Sequence, residues 1–242
     1  MIDTHCHLTE TVFRLPETFQ AASLCGVTQF ISVSTNPDDW QYLHSIAQSY
    51  PQVIPAFGIH PLWHHLTADL DKMAVLLQTF PQALIGEIGL DFYDGRTQQD
   101  AQIQCFQQQL DMAQQFHRPI LIHQRKADDF LFPLLKNHHA SGIVHGFSGS
   151  LNQAKKWLDL GFFLGIGTVL LRPNARLRSV LPQLPLDDWV LESDAPFMYP
   201  NNTPSIIHNI AQTAADLYGV SIDCIEENTN RNAQNILKQA LC

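Results

Sequence analysis

Short β-branched or apolar runs alternate with helix-like segments along the whole chain. Eight runs have strand character: residues 2–7, 29–34, 53–60, 83–90, 120–123, 142–147, 162–167 and 189–194. Amphipathic segments lie between many of them. Residues 38–50 set Trp40, Leu43, Ile46 and Ala47 at helical spacing behind Pro37, which suits a first helical turn. Residues 66–80, 98–116, 204–218 and 222–241 carry the same period, and 151–160 follows Ser150 as an N-cap and stops before Gly161. Successive strand runs start about 20 to 35 residues apart, near the roughly 30 residues of a strand–helix–strand unit.

Eight strands, each with a helix-sized connection, predict a single-domain (β/α)8 barrel spanning 1–242. A doubly wound open sheet is the alternative, because both folds bury parallel strands. Polar residues separate the two. Six runs end in side chains that bind metals or move protons: His5 and His7, His60, Glu87, His123, His145 and Asp194. A barrel opens all strand C-termini on one face and gathers these ends in one bowl, whereas an open sheet spreads them along a line.

Composition narrows the class. The chain has 242 residues, 45% of them apolar, and no stretch approaches the roughly 18 uninterrupted apolar residues of a membrane helix. Met1 runs straight into Ile2-Asp3-Thr4-His5, with no basic segment and no apolar leader, so a cytoplasmic protein is expected. The cysteines (Cys6, Cys25, Cys105, Cys224 and Cys242) are odd in number and scattered, which fits reduced thiols. A net charge of −9 argues against a broad grip on duplex DNA or an anionic membrane. It leaves room for an enzyme that takes a single-stranded end into a cationic site, since bound metal adds charge that formal counts omit.

The candidate chemistry rests on spacing. His5 and His7, two apart on a strand, share a face, with Cys6 on the other as a packed residue. Glu87 interrupts the apolar Leu84-Ile85-Gly86-Glu87-Ile88-Gly89-Leu90, where an ionised side chain is costly unless paired or metal-bound. Asp91 just beyond it reads equally as a loop cap or a catalytic acid. His123 and His145 each end a buried run, and Asp194 ends Leu191-Glu192-Ser193-Asp194. Glu192 shares a face with Asp194, and Asp194 is preferred because it is nearer the strand end. Four histidines and two carboxylates without a thiolate suit Zn²⁺, Mn²⁺, Fe²⁺, Co²⁺, Ni²⁺ or Mg²⁺. Six donors exceed the needs of one tetrahedral ion, so two divalent ions sharing a carboxylate are expected, an arrangement suited to phosphoester hydrolysis. His60 reads as a substrate contact or a loop histidine, and Arg125 as a phosphate fork or a surface ion pair. The pairs His64-His65, His138-His139 and Lys155-Lys156 read as solvated.

Asp3-Thr4-His5-Cys6-His7-Leu8, Gly58-Ile59-His60-Pro61, Gly86-Glu87-Ile88-Gly89-Leu90-Asp91, His145-Gly146-Phe147-Ser148-Gly149-Ser150 and Glu192-Ser193-Asp194-Ala195-Pro196 together resemble the TatD-type DNases, metal-dependent hydrolases of the amidohydrolase superfamily. The motif around His145 is most similar to the YjjV-like branch. The resemblance implies a TIM barrel with His5 and His7 on one ion, His123 and His145 on a second, and Glu87 bridging. It implies that Asp194 binds the first ion and orients or deprotonates the attacking water, making Glu87 and Asp194 the catalytic carboxylates, while His60 and Arg125 face the scissile phosphate. It implies 3′–5′ exonuclease chemistry by a metal-bound hydroxide on single-stranded DNA or RNA ends. Two departures bear on substrate: Gln124 stands between His123 and Arg125 where the family has a small residue, and the loop 197–204 is short. A hydrolase of small amides, lactones or phosphoesters is the rival enzyme, favoured by the acidic balance and the lack of an aromatic–basic groove in the sequence. A binding module with structural metal is the non-catalytic rival. Nothing in the sequence requires more than a monomer.

Overall fold

The computed structural model describes residues 1–63, 67–95, 98–138 and 140–239. His64, His65, His139 and Cys242 lie outside the described residues. Eight parallel strands follow one another around a barrel in chain order. They are β1 (Ile2–Cys6), β2 (Gln29–Val33), β3 (Val53–Phe57), β4 (Leu84–Asp91), β5 (Ile120–Arg125), β6 (Gly142–Val144), β7 (Phe162–Ile166) and β8 (Trp189–Leu191). The sheet closes just beyond the last strand. The Asp194 amide donates to the His5 carbonyl at 2.9 Å and the His7 amide to the Ala195 carbonyl at 2.8 Å. The Thr4 hydroxyl adds a bond to the Leu191 carbonyl at 2.9 Å. The barrel is therefore the correct choice over the open sheet.

Five connections hold the expected helices: α2 (Trp40–Ser49), α3 (Thr67–Thr79), α4 (Gln99–Phe116), α6 (Leu151–Asp159) and, after β8, the pair α8 (Ile207–Tyr218) and α9 (Ile222–Gln239). Ser150 caps α6 in a full capping box with Gln153. Three helices were not legible from the pattern: α1 (Leu15–Leu24), α5 (Asp128–Lys136) and the one-turn α7 (Leu177–Val180). Helix α5 carries Pro133 in its interior, which removes a backbone donor and masks the helical signal.

Two apolar layers result. The outer one, between strands and helices, includes Cys6, Phe30, Phe57, Trp157 and Trp189. The inner one fills the barrel with Ile2, Ile31, Ile54, Leu84, Leu121, Ile143 and Val190, and α9 stops its floor with Ala233 and Ile236. The imidazole and carboxylate donors therefore gather at the opposite end, where the strands' C-termini open.

Candidate metal centre

Strand irregularities aim the first donors. The ladder between β1 and β2 shifts between Asp3 and Cys6, and that between β4 and β5 shifts between Ile85 and Ile88. These breaks bracket His5 and Glu87, which is how bulges re-aim side chains beside a site. As expected, Cys6 is buried in the outer layer, its thiol 3.6 Å from the Ile31 carbonyl. Gly89 allows β4 to pass tightly over β5. It has φ +149°, and a Cβ there would lie 2.0 Å from the His123 carbonyl oxygen.

The six residues expected as ligands come together. His5 Nε2 lies 3.3 Å from His7 Nε2 and 3.5 Å from Glu87 Oε2. His7 Nε2 is 3.1 Å from Asp194 Oδ1 and 4.0 Å from Glu87 Oε2. The other oxygen of Glu87 faces elsewhere: Oε1 is 2.7 Å from His123 Nδ1 and 4.0 Å from His60 Nε2. His145 stacks on His5, ring centroids 3.6 Å apart, with its Nε2 3.6 Å from Asp194 Oδ2. Three groups of donor atoms have metal-binding spacing: His5, His7 and Asp194; His5, Glu87 and His145; His60, Glu87 and His123. His123 thus shares Glu87 with His60, its Nδ1 3.1 Å from His60 Nε2, while His145 is drawn to the His5 side. Arg125, half exposed at the rim, lies 3.9 Å from Asp91 Oδ2 and 3.7 Å over the Tyr93 ring.

Electrostatics fit a cation here. Burial pushes Glu87 and Asp194 upward, but the neighbouring imidazoles outweigh it: His5 and His123 hold Glu87 well below its ordinary range, and His145 and His7 lower Asp194. Burial lowers His145 and His123 too. Glu192 and Asp194 nevertheless raise His145 to about 10, and hydrogen bonds that His123 donates to Asp91 and Glu87 raise His123. The carboxylates draw positive charge toward them, which favours the protonated forms of His145 and His123, and a divalent ion would meet the same demand. Burial drives His60 down to about 4, leaving it neutral; its Nδ1 accepts from the Leu62 amide at 3.2 Å and its Nε2 faces His123. Oxygen and imidazole donors of this kind accept first-row divalent ions.

Three further carboxylates support the donors, and of these Asp3 carried no clear signal in the sequence. Glu192 is fully buried; its Oε1 accepts from the Gly146 amide at 2.7 Å and sits 3.0 Å from His145 Nδ1. That contact turns the Nε2 edge of His145 toward the donor cluster, the familiar role of a carboxylate behind a metal-binding imidazole. Asp3 accepts from the His5 amide at 3.3 Å, the Ser193 amide at 2.9 Å and the Ser193 hydroxyl at 2.6 Å. It ties β1 to the segment carrying Asp194, and burial pushes its carboxyl up to about 7. Asp194 itself has φ +53°, a left-handed backbone costly outside glycine and held here by its bond to β1. Asp91 takes the loop-cap place, its Oδ1 accepting from the Tyr93 amide at 2.9 Å, and its Oδ2 lies 3.0 Å from His123 Nε2.

The family profile of TatD related DNase matches residues 2–238. The uncharacterized metal-dependent hydrolase YjjV of Escherichia coli K12 is 34% identical over 245 residues, covering 98% of this chain and 94% of the relative. The crystal structure of the Escherichia coli K12 YjjV, a TatD homolog, superposes with a TM-score of 0.91 at 30% identity, covering 98% of this chain and 97% of that one. A TatD family hydrolase structure from Entamoeba histolytica shares the fold, with a TM-score of 0.86 at 20% identity and coverages of 98% and 97%.

Proposed function

We propose that this chain, which belongs to the TatD related DNase family and is a metal-dependent hydrolase of that family, hydrolyses phosphodiester bonds at single-stranded nucleic-acid ends. One observation carries the reading: the two oxygens of Glu87 face two separate sets of donors, 3.5 Å from His5 and 2.7 Å from His123. A carboxylate so placed would be shared by two cations if both donor sets were filled, and paired divalent ions about 3.5–4 Å apart are a common solution for phosphoester cleavage.

The first ion is assigned to His5, His7, Asp194 and Glu87. The second is assigned to Glu87, His123 and one further imidazole: the resemblance gives that place to His145, the side-chain arrangement to His60. Bound divalent ions would withdraw charge from the phosphoryl oxygens and acidify a water molecule. The protein does the rest. Asp194, depressed by His145 and His7, is a ready acceptor for the water proton. Arg125 presents its planar fork to a non-bridging phosphate oxygen, steadied by Tyr93 beneath it and Asp91 beside it. Asp91 in turn holds His123, so the phosphate contact and the second donor set move together.

The test is turnover by purified protein of single-stranded oligodeoxynucleotides, oligoribonucleotides and bis(4-nitrophenyl) phosphate with added Mg²⁺, Mn²⁺ or Zn²⁺. Metal-dependent cleavage, lost with EDTA and reduced at least a hundredfold in Asp194→Asn, is the expected result. Intact phosphodiesters beside turnover of lactones or amides would move the protein to the small-molecule class.

A further inference from the structure

Large apolar side chains are exposed unevenly. Among the described residues eleven such side chains are exposed, and seven of them (Val12, Leu62, Trp63, Tyr93, Phe197, Met198 and Tyr199) follow the C-terminal end of a strand, around the mouth of the barrel. Exposed apolar surface concentrated beside a polar cleft marks a binding surface rather than scatter. The densest part is Phe197-Met198-Tyr199, each side chain between 41% and 54% exposed.

This loop is built, not frayed. The Asn202 side-chain amide donates to the Ser193 carbonyl at 2.8 Å and the Phe197 carbonyl at 2.7 Å. The Phe197 amide donates to the Asp194 carbonyl at 2.8 Å, and Arg172 reaches the Met198 carbonyl at 3.4 Å. Met198 and Asn201 adopt φ +66° and +51°, a backbone that non-glycine residues avoid unless the surroundings impose it. Buried neighbours thus hold three apolar side chains out toward water. The loop is also continuous with the donor cluster: the Phe197 ring meets the His7 ring edge-on at 5.0 Å. Across the mouth Trp63 stands half exposed beside a shallow recess walled by Pro61, Ala101 and Cys105. Cations flank the rim, with Arg125 and Lys126 both over Tyr93, at 3.7 and 4.5 Å.

Flat aromatic faces with cations beside them, next to a phosphodiester site, match unpaired nucleobases. We propose that Phe197 and Tyr199 on one side of the mouth, and Trp63 on the other, stack the bases that flank the scissile phosphate, with little regard to base identity. Stacking accepts any base because every base has a π-face, and it excludes duplex DNA, whose bases are already stacked. The inference rests on the phosphodiesterase reading, because it needs the strand's phosphate at the donor cluster.

The experiment compares binding of two fluorescent ten-nucleotide strands with phosphorothioate linkages, one of thymidine and one abasic, to the Mg²⁺-supplemented protein. Wild type is expected to prefer the base-bearing strand at least tenfold. Phe197→Ala, Tyr199→Ala and Trp63→Ala should each weaken it by roughly five- to a hundredfold, the range of one base–aromatic stack, and move the abasic strand little. Circular dichroism checks that each variant is folded. Equal binding of the two strands by wild type, or thymidine binding unchanged in all three variants, overturns the inference. So does a sedimentation result in which wild type is dimeric and the variants monomeric, which would make the patch a self-association surface. Bis(4-nitrophenyl) phosphate separates the two readings: turnover without base preference leaves the phosphodiesterase standing, and base preference without turnover sinks the phosphodiesterase instead.

Discussion

Gly165→Ala is a sharp test of how the site is supported, because it adds one carbon at a residue that offers no metal donor of its own. An ideal Cβ at Gly165 would lie 2.1 Å from Glu192 Oε2 and 2.6 Å from its Cδ. Non-bonded carbon contacts settle near 3.5–4.0 Å, so the carboxylate must retreat by about 1.5 Å. It has no solvent to retreat into, being fully buried. Moving away breaks the 2.7 Å bond from the Gly146 amide and releases His145 Nδ1 from its 3.0 Å contact. A buried unpaired donor costs about 1–3 kcal/mol, and overfilling a packed site costs about as much again. For a chain of this size each kcal/mol lowers Tm by about 2–4 °C, so a fall of about 4–24 °C is expected by calorimetry. The more telling readout is metal affinity. Loss of the carboxylate behind a ligating imidazole weakens binding by about 10–100-fold. A competition titration against a chromogenic chelator measures this directly. Glu192→Gln keeps the shape and removes the charge, so it should lose affinity with a smaller drop in Tm. A Gly165→Ala protein with wild-type affinity and Tm would refute the role given to Glu192.

Other outcomes follow from particular contacts. His60→Ala and His145→Ala, compared for metal content by plasma mass spectrometry, decide which imidazole completes the second donor set; the variant that loses one ion identifies it. Chelation with EDTA should lower Tm by several degrees, since ligands that bind only the native state stabilise it by mass action; an unchanged Tm would mean that no metal is held. Tyr218→Phe removes the hydroxyl that accepts from Trp189 Nε1 at 3.1 Å and lies 2.6 Å from the Leu181 carbonyl. It should cost about 1–3 kcal/mol in urea unfolding and leave metal content untouched. Burial raises the Tyr218 phenol to about 12, above the 10.0 of the unfolded chain. Unfolded protein therefore sheds this proton first, and wild-type stability should fall as pH climbs past 10, while Tyr218→Phe lacks that component.

The sequence made the strands legible because buried parallel strands are near-continuous apolar runs, and seven of the eight begin where the pattern placed them. Their ends were less legible. Strand β5 continues through His123 to Arg125, and β4 passes Glu87 by four residues. The ladder shifts at β1 and β4 depend on contacts between strands, which no single run encodes. The candidate donors stood out because charged and imidazole side chains are conspicuous in apolar runs. Glu192 was visible at the same spacing as Asp194, and only the fold shows that it points behind His145 while Asp194 faces the cluster. The aromatic and basic side chains at the mouth are equally scattered in sequence: Trp63, Tyr93 and Phe197 follow three different strands and Arg125 ends β5, and Tyr93 and Arg125 stack only in the fold.

The measurement closest to the central claim is the metal content of wild type and Glu87→Ala, each loaded with Zn²⁺ and desalted. If Glu87 bridges two donor sets, wild type retains two ions per chain, and Glu87→Ala, still folded by circular dichroism, retains fewer and loses phosphodiesterase turnover. Full metal content and full turnover in Glu87→Ala would contradict the account.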